Sequence, residues 1–395
     1  MNRLLVGALA LALGAVPASA QSLEDLNIQI HGYATQGLLY TTNNNIFTTN
    51  SSNGSPAWTE AVLNVSSQPT PKLRIAVQGR YFLLGNYGNA ITLDFASADY
   101  KANDKFGVRF GKVKVASGLF NETQDIDPSY IWALLPQGIY PITSRNSGLS
   151  LFGGTVYGSL KIGPKFGKLE YRGWSGDVSV GPGDGLFVKN AETGTTLPNG
   201  LSGMENGTAL HWVTPLPGLM AGASFMRLNT WSDPLSVAYG KYLGTETINP
   251  LNIPNYFAKY EKDKLMVATE YQRETGSALV TLPALGPYGI TKSVIDNRGW
   301  YGMATYKVTG KLTAGAYDSQ FFGHKIALGP ARYSKDWVVS GRYDFNQFLY
   351  AKAEEHFVAG TNQDYDTTLN PATKALPTGL YPTTKLTILK IGVSF

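Results

Sequence analysis

From Asn27 to Phe395 the chain alternates apolar and polar positions with a period of two, the signature of strands with one greasy and one wet face. The clearest stretch is Leu73 to Phe82. Leu73, Ile75, Val77, Gly79 and Tyr81 share one face, and Arg74, Gln78 and Arg80 share the other. Between 27 and 40, Ile28, Ile30, Ala34 and Leu38 oppose Gln29, His31 and Thr35. Phe106, Val108 and Phe110 alternate with Gly107, Arg109 and Gly111, and Leu169 and Tyr171 with Lys168, Glu170 and Arg172. Leu265, Val267 and Tyr271 alternate with Glu270 and Gln272. Trp337, Val339, Gly341 and Tyr343 alternate with Ser340, Arg342 and Asp344. Leu349, Ala351 and Ala353 alternate with Tyr350, Lys352, Glu354 and His356. In the last stretch, Leu386 to Phe395, the apolar Leu389, Ile391 and Val393 leave Lys390 on the polar side.

Short and long connections alternate as well. Tight turns fall at Pro69–Lys72, Ala102–Lys105, Gly163–Lys165, Pro215–Gly218, Lys262–Lys264, Thr309–Lys311 and Phe345–Gln347, each with Gly, Pro, Asn or Asp where the chain reverses. Long segments run near 42–57, 116–147, 179–206, 230–254, 276–296, 321–334 and 359–384, with a short one at 84–89. Seven turns and eight loops predict about sixteen strands. Fourteen or eighteen stay open, because Trp58–Ser67, Leu210–Thr214 and Leu219–Leu228 have no cleanly apolar parity. A sheet in water has no reason to gather its long loops on one side, whereas a closed barrel threaded through a bilayer does. The predicted fold is therefore all-β: a transmembrane antiparallel β-barrel with both termini at the periplasmic end. Turning Arg74 and Arg80 to lipid would cost about 2–4 kcal/mol each near the midplane, so burial sets which face points out. Tyr33, Tyr40, Trp58, Tyr81, Tyr100, Trp212, Trp300, Tyr301, Trp337 and Phe348 lie near strand ends, where aromatic girdles form at the headgroup level.

Composition narrows the picture. Arg3, the apolar run Leu4 to Val16 and the small-x-small Ala18-Ser19-Ala20 read as a secretory signal peptide over residues 1–20, which leaves 21–395 as one barrel domain. There are no cysteines, so an exported chain relies on burial and hydrogen bonding. Charged residues are only 15% of the chain, low for a wetted surface but fitting for a wall with lipid on one side. A net charge of +5 is far from the basic stripe of a nucleic-acid binder. No phosphate-cradling loop or metal-ligand spacing is present, so no cofactor or metal is expected; Asp364 and Asp366 are too few ligands for calcium.

The third long segment carries the candidate chemistry. Between Ala116 and Asn146 it holds Glu122, Asp125 and Asp127 close together, and an apolar middle (Ile131, Trp132, Leu134, Leu135) that a free surface loop does not need. Here the chain resembles the general Gram-negative outer-membrane porins. From Gly111 to Thr123 it is similar to less-studied proteobacterial porins and, more distantly, to phosphate-selective ones, while the usual acidic loop motif is absent. The resemblance implies an in-folded third loop that narrows a water-filled pore. It implies Glu122, Asp125 and Asp127 as the acidic side of a constriction, facing the basic residues Arg74, Arg80 and Arg109, and Phe395 as the signal read by the barrel assembly machinery. By facing, Arg172, Lys352 and Lys390 join the basic wall, and Glu270 and Glu354 offset them. Opposed charges in a narrow lumen order water and favour hydrophilic solutes, and the slight basic excess predicts weak anion preference.

Lys112 and Lys114 share the parity of lipid-facing Phe110. Either they snorkel at the outer rim or a bulge at Gly111 resets the phase, with the bulge preferred. The expected location is the outer membrane, the expected partners its lipid and lipopolysaccharide, and the implied assembly a homotrimer passing small hydrophilic solutes. A substrate-specific channel, a docking or receptor barrel and a barrel hydrolase are the alternatives. For the last, the histidines are His31, His211, His324 and His356, and His356 shares the inner face with Glu354.

Overall fold

The computed structural model describes residues 27–395 except 193, 324–327, 363, 364, 366 and 367. The expected leader at 1–20, His324 and the pair Asp364 and Asp366 (the latter two weighed for calcium) lie outside the described residues. The strands are β1 (Gln29–Thr41), β2 (Ser55–Thr70), β3 (Leu73–Leu84), β4 (Tyr87–Asn103), β5 (Phe106–Lys114), β6 (Ser150–Gly163), β7 (Gly167–Val180), β8 (Leu201–Val213) and β9 (Leu219–Leu228). They continue as β10 (Trp231–Val237), β11 (Tyr242–Ile248), β12 (Leu251–Lys262), β13 (Leu265–Thr281), β14 (Ile290–Lys307), β15 (Leu312–Phe322), β16 (Tyr333–Asp344), β17 (Leu349–Ala359) and β18 (Thr383–Ser394).

Sixteen of these close a ring. Each pairs antiparallel with its chain neighbour, β9 passes directly to β12, and β18 pairs with β1 from Tyr33↔Ser394 to Thr41↔Leu386. The other two, β10 and β11, form a hairpin inside the long segment at 230–254, and β11 lies against the upper part of β13. The segment expected as a loop at 276–296 is mostly sheet. The β13–β14 ladder runs on to Thr281↔Ile290, because Ala278 to Thr281 and Ile290 to Ile295 are β-formers that gain a third strand from β11.

The facing follows the two-residue period. Ile75 and Val77 are exposed on the outside while Gln78 and Arg80 are buried inside. Leu389, Ile391 and Val393 point out and Lys390 points in. Strands β2, β8 and β9 form where parity was weakest, because their inner faces carry Trp58, Val62, Ala209, Met226 and Leu228 under the inserted loops. For the same reason Tyr33, Trp58 and Tyr301 do not join the girdle: they are buried on the inner side, whereas Tyr40, Tyr100, Trp212, Trp337 and Phe348 are exposed outside.

The phase question at β5 has a mixed outcome. The bulge lies on the neighbouring strand, where the register slips between Gln78 and Gly79 and turns both Asp94 and Phe95 inward. Gly111 has φ +124, and a Cβ there would meet the Ala96 carbonyl at 2.2 Å. Lys112 stays on the outer side with Phe152, its Nζ 5.4 Å from that ring, while Lys114 turns inward and its ammonium reaches Asp125.

The seam closes on the last residue. Gly32 donates its N–H to Phe395 O at 3.1 Å and accepts from the Phe395 N–H at 3.0 Å. A Cβ on Gly32 would lie 2.8 Å from the Phe395 ring and 2.7 Å from the Val62 carbonyl. Gly32→Ala is therefore expected to lower barrel stability by about 1–3 kcal/mol through overpacking. Urea unfolding in detergent reads this, and an unchanged midpoint would show that the ring moves aside freely.

Candidate functional site

The long segment between β5 and β6 folds into the barrel and lies against its inner wall. Its apolar middle finds two patches. Leu134 joins Leu39, Trp58, Leu84 and Ile388, while Phe120, Trp132, Leu135 and Ile139 pack on Tyr301, Met303, Tyr317 and Val338. Burial of this apolar surface favours docking, but backbone and charged groups also leave water and need partners.

Carboxylates supply most of those partners. Asp127 accepts from Tyr350 Oη at 2.7 Å, Lys352 Nζ at 3.0 Å and Lys390 Nζ at 2.6 Å. Lys352 also donates to the Asp127 and Trp132 carbonyls. Asp125 is held by Lys114 and Gln78, and its carbonyl accepts from the Tyr33 hydroxyl. From the wall, Glu354 accepts the N–H groups of Ala133 and Leu134 at 3.0 Å. Glu270 accepts from Tyr140 Oη, Tyr301 Oη and the Leu119 N–H. Glu60 takes Arg80 at 2.6 Å, with Arg145 from the loop at 3.5 Å and Lys390 at 3.8 Å.

This arrangement corrects the expected constriction. Asp125 and Asp127 do not face Arg80 across water. They are buried and in contact with lysines, and Arg80, Lys352, Lys390, Glu270 and Glu354 lie beneath the loop rather than on an open lumen. The physical reason is the loop's apolar middle, which brings its backbone flush with the wall and carries its acids onto the wall's bases. Burial alone raises the Asp127 carboxyl, but Lys352 and Lys390 outweigh it and hold it well below the usual carboxylate range. Asp125 is likewise raised by burial and brought below its ordinary value by Lys114 and Arg145.

Glu122 is different. It reaches from the loop toward the β5 and β7 wall, 3.7 Å from Arg109 and 3.5 Å from Arg172. Its side chain is 32% exposed, and those of Arg109 and Arg172 are 29% and 27% exposed, so water shares this contact. Arg109 also pairs with Asp99 at 3.0 Å. On the periplasmic side lies a cavity of about 460 Å³, lined among others by His31, Arg74, Asp99, Arg109, Lys114 and Glu122. On the outer side a chamber of about 150 Å³ is lined by Ser117, Asn121, Gln124, Arg145, Asn255 and Glu274. The loop stretch 117–128 borders both.

Sequence reasoning missed Glu60, Asp99 and Arg145. Glu60 sits on β2, where parity was illegible. Asp99 follows the β4 bulge, which shifts phase. Arg145 ends the loop and gained meaning only from where the loop lands.

No family model matches the chain, and no curated protein matches it. Solved structures do. The anion-selective porin from Comamonas acidovorans is 10% identical with a TM-score of 0.56, over 93% of this chain and 99% of that one. Salmonella typhi OmpF, in a complex with daunomycin, is 13% identical with a TM-score of 0.57, over 95% and 99%. The trimer form of OmpT, an outer membrane protein of Vibrio cholerae, is 12% identical with a TM-score of 0.50, over 93% and 99%. The chain has an outer-membrane porin-type fold. At these identities the likeness concerns the architecture alone.

Asp127→Asn leaves buried Lys352 without its counter-charge and Lys390 with only Glu60, at 3.8 Å. Loop docking is expected to weaken by about 3–5 kcal/mol, read as new protease cleavage within residues 116–147 while the barrel stays folded. An uncut loop would remove Asp127 as an anchor. Acid acts in the same direction. The Asp125 and Asp127 carboxyls have folded values below their unfolded ones, so their contribution is complete above about pH 4 and is lost as pH falls through the lower folded values. Hydrogen exchange in the stretch around Asp125 and Asp127, after correction for the intrinsic rate, should stay protected down to about pH 5 and lose protection only well below pH 4.

Proposed function

We propose that this chain is a passive outer-membrane porin for small hydrophilic solutes and ions. The observation that carries the reading is the half-exposed bridge of Glu122 to Arg109 and Arg172. It places water-accessible, opposed charges between an anchored inner loop and the wall of a closed barrel. Such a contact orders water and disfavours apolar solutes while leaving polar ones a path. Glu122, Arg109 and Arg172 take the role of the constriction, and Arg74 and Asp99 line its periplasmic approach. Asp125, Asp127, Arg80, Lys352, Lys390, Glu270 and Glu354 serve as the loop's anchor. Three arginines (Arg74, Arg109, Arg172) against Glu122 and Asp99 favour weak anion preference.

No bond chemistry is assigned. His356, the histidine best placed for it, has Nδ1 at 2.8 Å from Asp336 and Nε2 at 2.9 Å from Glu354, so both ring nitrogens are occupied by acids. It is also buried. A general base needs a free nitrogen beside a nucleophile. Export by residues 1–20, insertion directed by Phe395 and assembly as a homotrimer complete the proposal.

Liposome swelling with graded sugars and small organic anions tests passage, and a barrel that admits none of them refutes it. Glu122→Gln removes the constriction's loop acid and releases two guanidinium groups. Reversal potentials in a salt gradient should shift toward anions, with conductance equal or higher; a shift toward cations would exclude Glu122 from the ion path.

A further inference from the structure

The outer chamber of about 150 Å³ lies between the inserted loop and the wall of β9, β12 and β13. Among the described residues its lining holds one cation and one anion. Arg145 comes from the loop's end and Glu274 from the inner face of β13. Met226, Leu228, Leu251 and Ile253 give the chamber an apolar side.

The wall groups are held by a relay of amides. Asn255 stands opposite Gln272 across the β12–β13 ladder and donates Nδ2 to its Oε1 at 3.3 Å. Gln272 donates Nε2 to Glu274 Oε1 at 3.2 Å, and Asn297 donates Nδ2 to Glu274 Oε2 at 3.1 Å. Amides satisfy that carboxylate in part and leave its charge unbalanced: among the described residues no cation lies within ion-pair distance of it.

The relay commits Asn255 Nδ2 and leaves its Oδ1 over. Asn255 is 1% exposed, and among the described residues this oxygen has no hydrogen-bond partner. Arg145, 7% exposed, shows the complementary condition. Its Nη2 stands 3.5 Å from Glu60, and neither Nε nor Nη2 makes a hydrogen bond among the described residues. Arg145 also borders a cleft of only about 40 Å³ under the loop, so the chamber is where a solute can reach it. Buried donors and acceptors without partners are costly, and a ligand that brings the matching groups is favoured.

We infer that the outer chamber is a saturable site for a small zwitterion, an α-amino acid with an aliphatic side chain. Its carboxylate meets Arg145, its ammonium meets Glu274 and Asn255 Oδ1, and its side chain lies along the apolar side. Both chamber charges are then balanced at once. A monoanion pairs with Arg145 and sets a like charge near Glu274, and a monocation does the reverse. A neutral sugar meets the amides but balances neither charge. The inference deepens the porin reading and rests on it for the solute's route to the chamber.

The test is calorimetric titration of the full refolded chain in detergent with L-leucine, isocaproate and isoamylamine. The last two are leucine without its ammonium and without its carboxylate. Leucine should bind at least about tenfold more tightly than either. Glu274→Gln should abolish the preference over isocaproate and keep the preference over isoamylamine, a split that general loosening of the chamber does not produce. Leucine bound no better than its two halves by the unaltered chain overturns the site, whatever the variant does. A Glu274→Gln chain that still prefers leucine over isocaproate by the same factor also overturns it. Displacement of leucine by equimolar glucose overturns the zwitterion assignment. Liposome swelling is read separately: leucine bound but not passed refutes the porin reading and keeps the site, whereas leucine passed without saturable binding refutes the site and keeps the porin.

Discussion

Hydrocarbon offers no partner to a backbone N–H or C=O, so a sheet that crosses a membrane must leave no edge. Everything else in this chain is arranged around that constraint. β18 pairs with β1 along nine positions, and Phe395 itself exchanges both backbone hydrogen bonds with Gly32. Once the ring shuts, inside and outside are defined, and every strand's two-residue alternation acquires a meaning: Leu389 and Ile391 to lipid, Lys390 to the interior.

Closure creates a second problem, which the third loop answers. A wide barrel lined with Arg80, Lys352, Lys390, Glu270 and Glu354 would enclose a large wet lumen. The loop lies on much of this wall, and its backbone and acids provide the partners that water would otherwise supply. Buried ion pairs gain little over a well-packed apolar alternative, so their value here is directional. Asp127 is held by Lys352, Lys390 and Tyr350 together, which ties a long connection to the wall without a disulfide. The contact of Glu122 with Arg109 and Arg172 stays partly in water, which is why the proposed passage of solutes is assigned to it.

The same division explains why charges that look alike in sequence end in different roles. Asp125, Asp127 and Glu122 lie within six residues of one another. Two flank the segment that turns onto the β17–β18 and β3 walls and become anchors. The third points to the opposite side of the loop and stays accessible.

The barrel, its facing and its strand count were legible because lipid enforces a strict alternation and because short turns and long loops announce the two ends. In-folding of the third loop was legible from Ile131, Trp132, Leu134 and Leu135, apolar residues with no use on a free surface. What lay beyond the sequence was partnership. Glu60 pairs with Arg80 diagonally across the β2–β3 ladder, where Glu60 stands opposite Phe82 and Arg80 opposite Val62, but parity on β2 was blurred by inward Trp58 and Val62. Asp99 faces inward only because the bulge at Asp94 and Phe95 shifts the phase of β4. Arg145 meets Glu60 only because the loop ends where it does. The pattern along the chain determined which residues could be inside, since that is a local property of a period-two ribbon. Which of them touch, and which are left to water, was decided by the closed ring and the path of the inserted loop, because those contacts join residues tens to hundreds of positions apart.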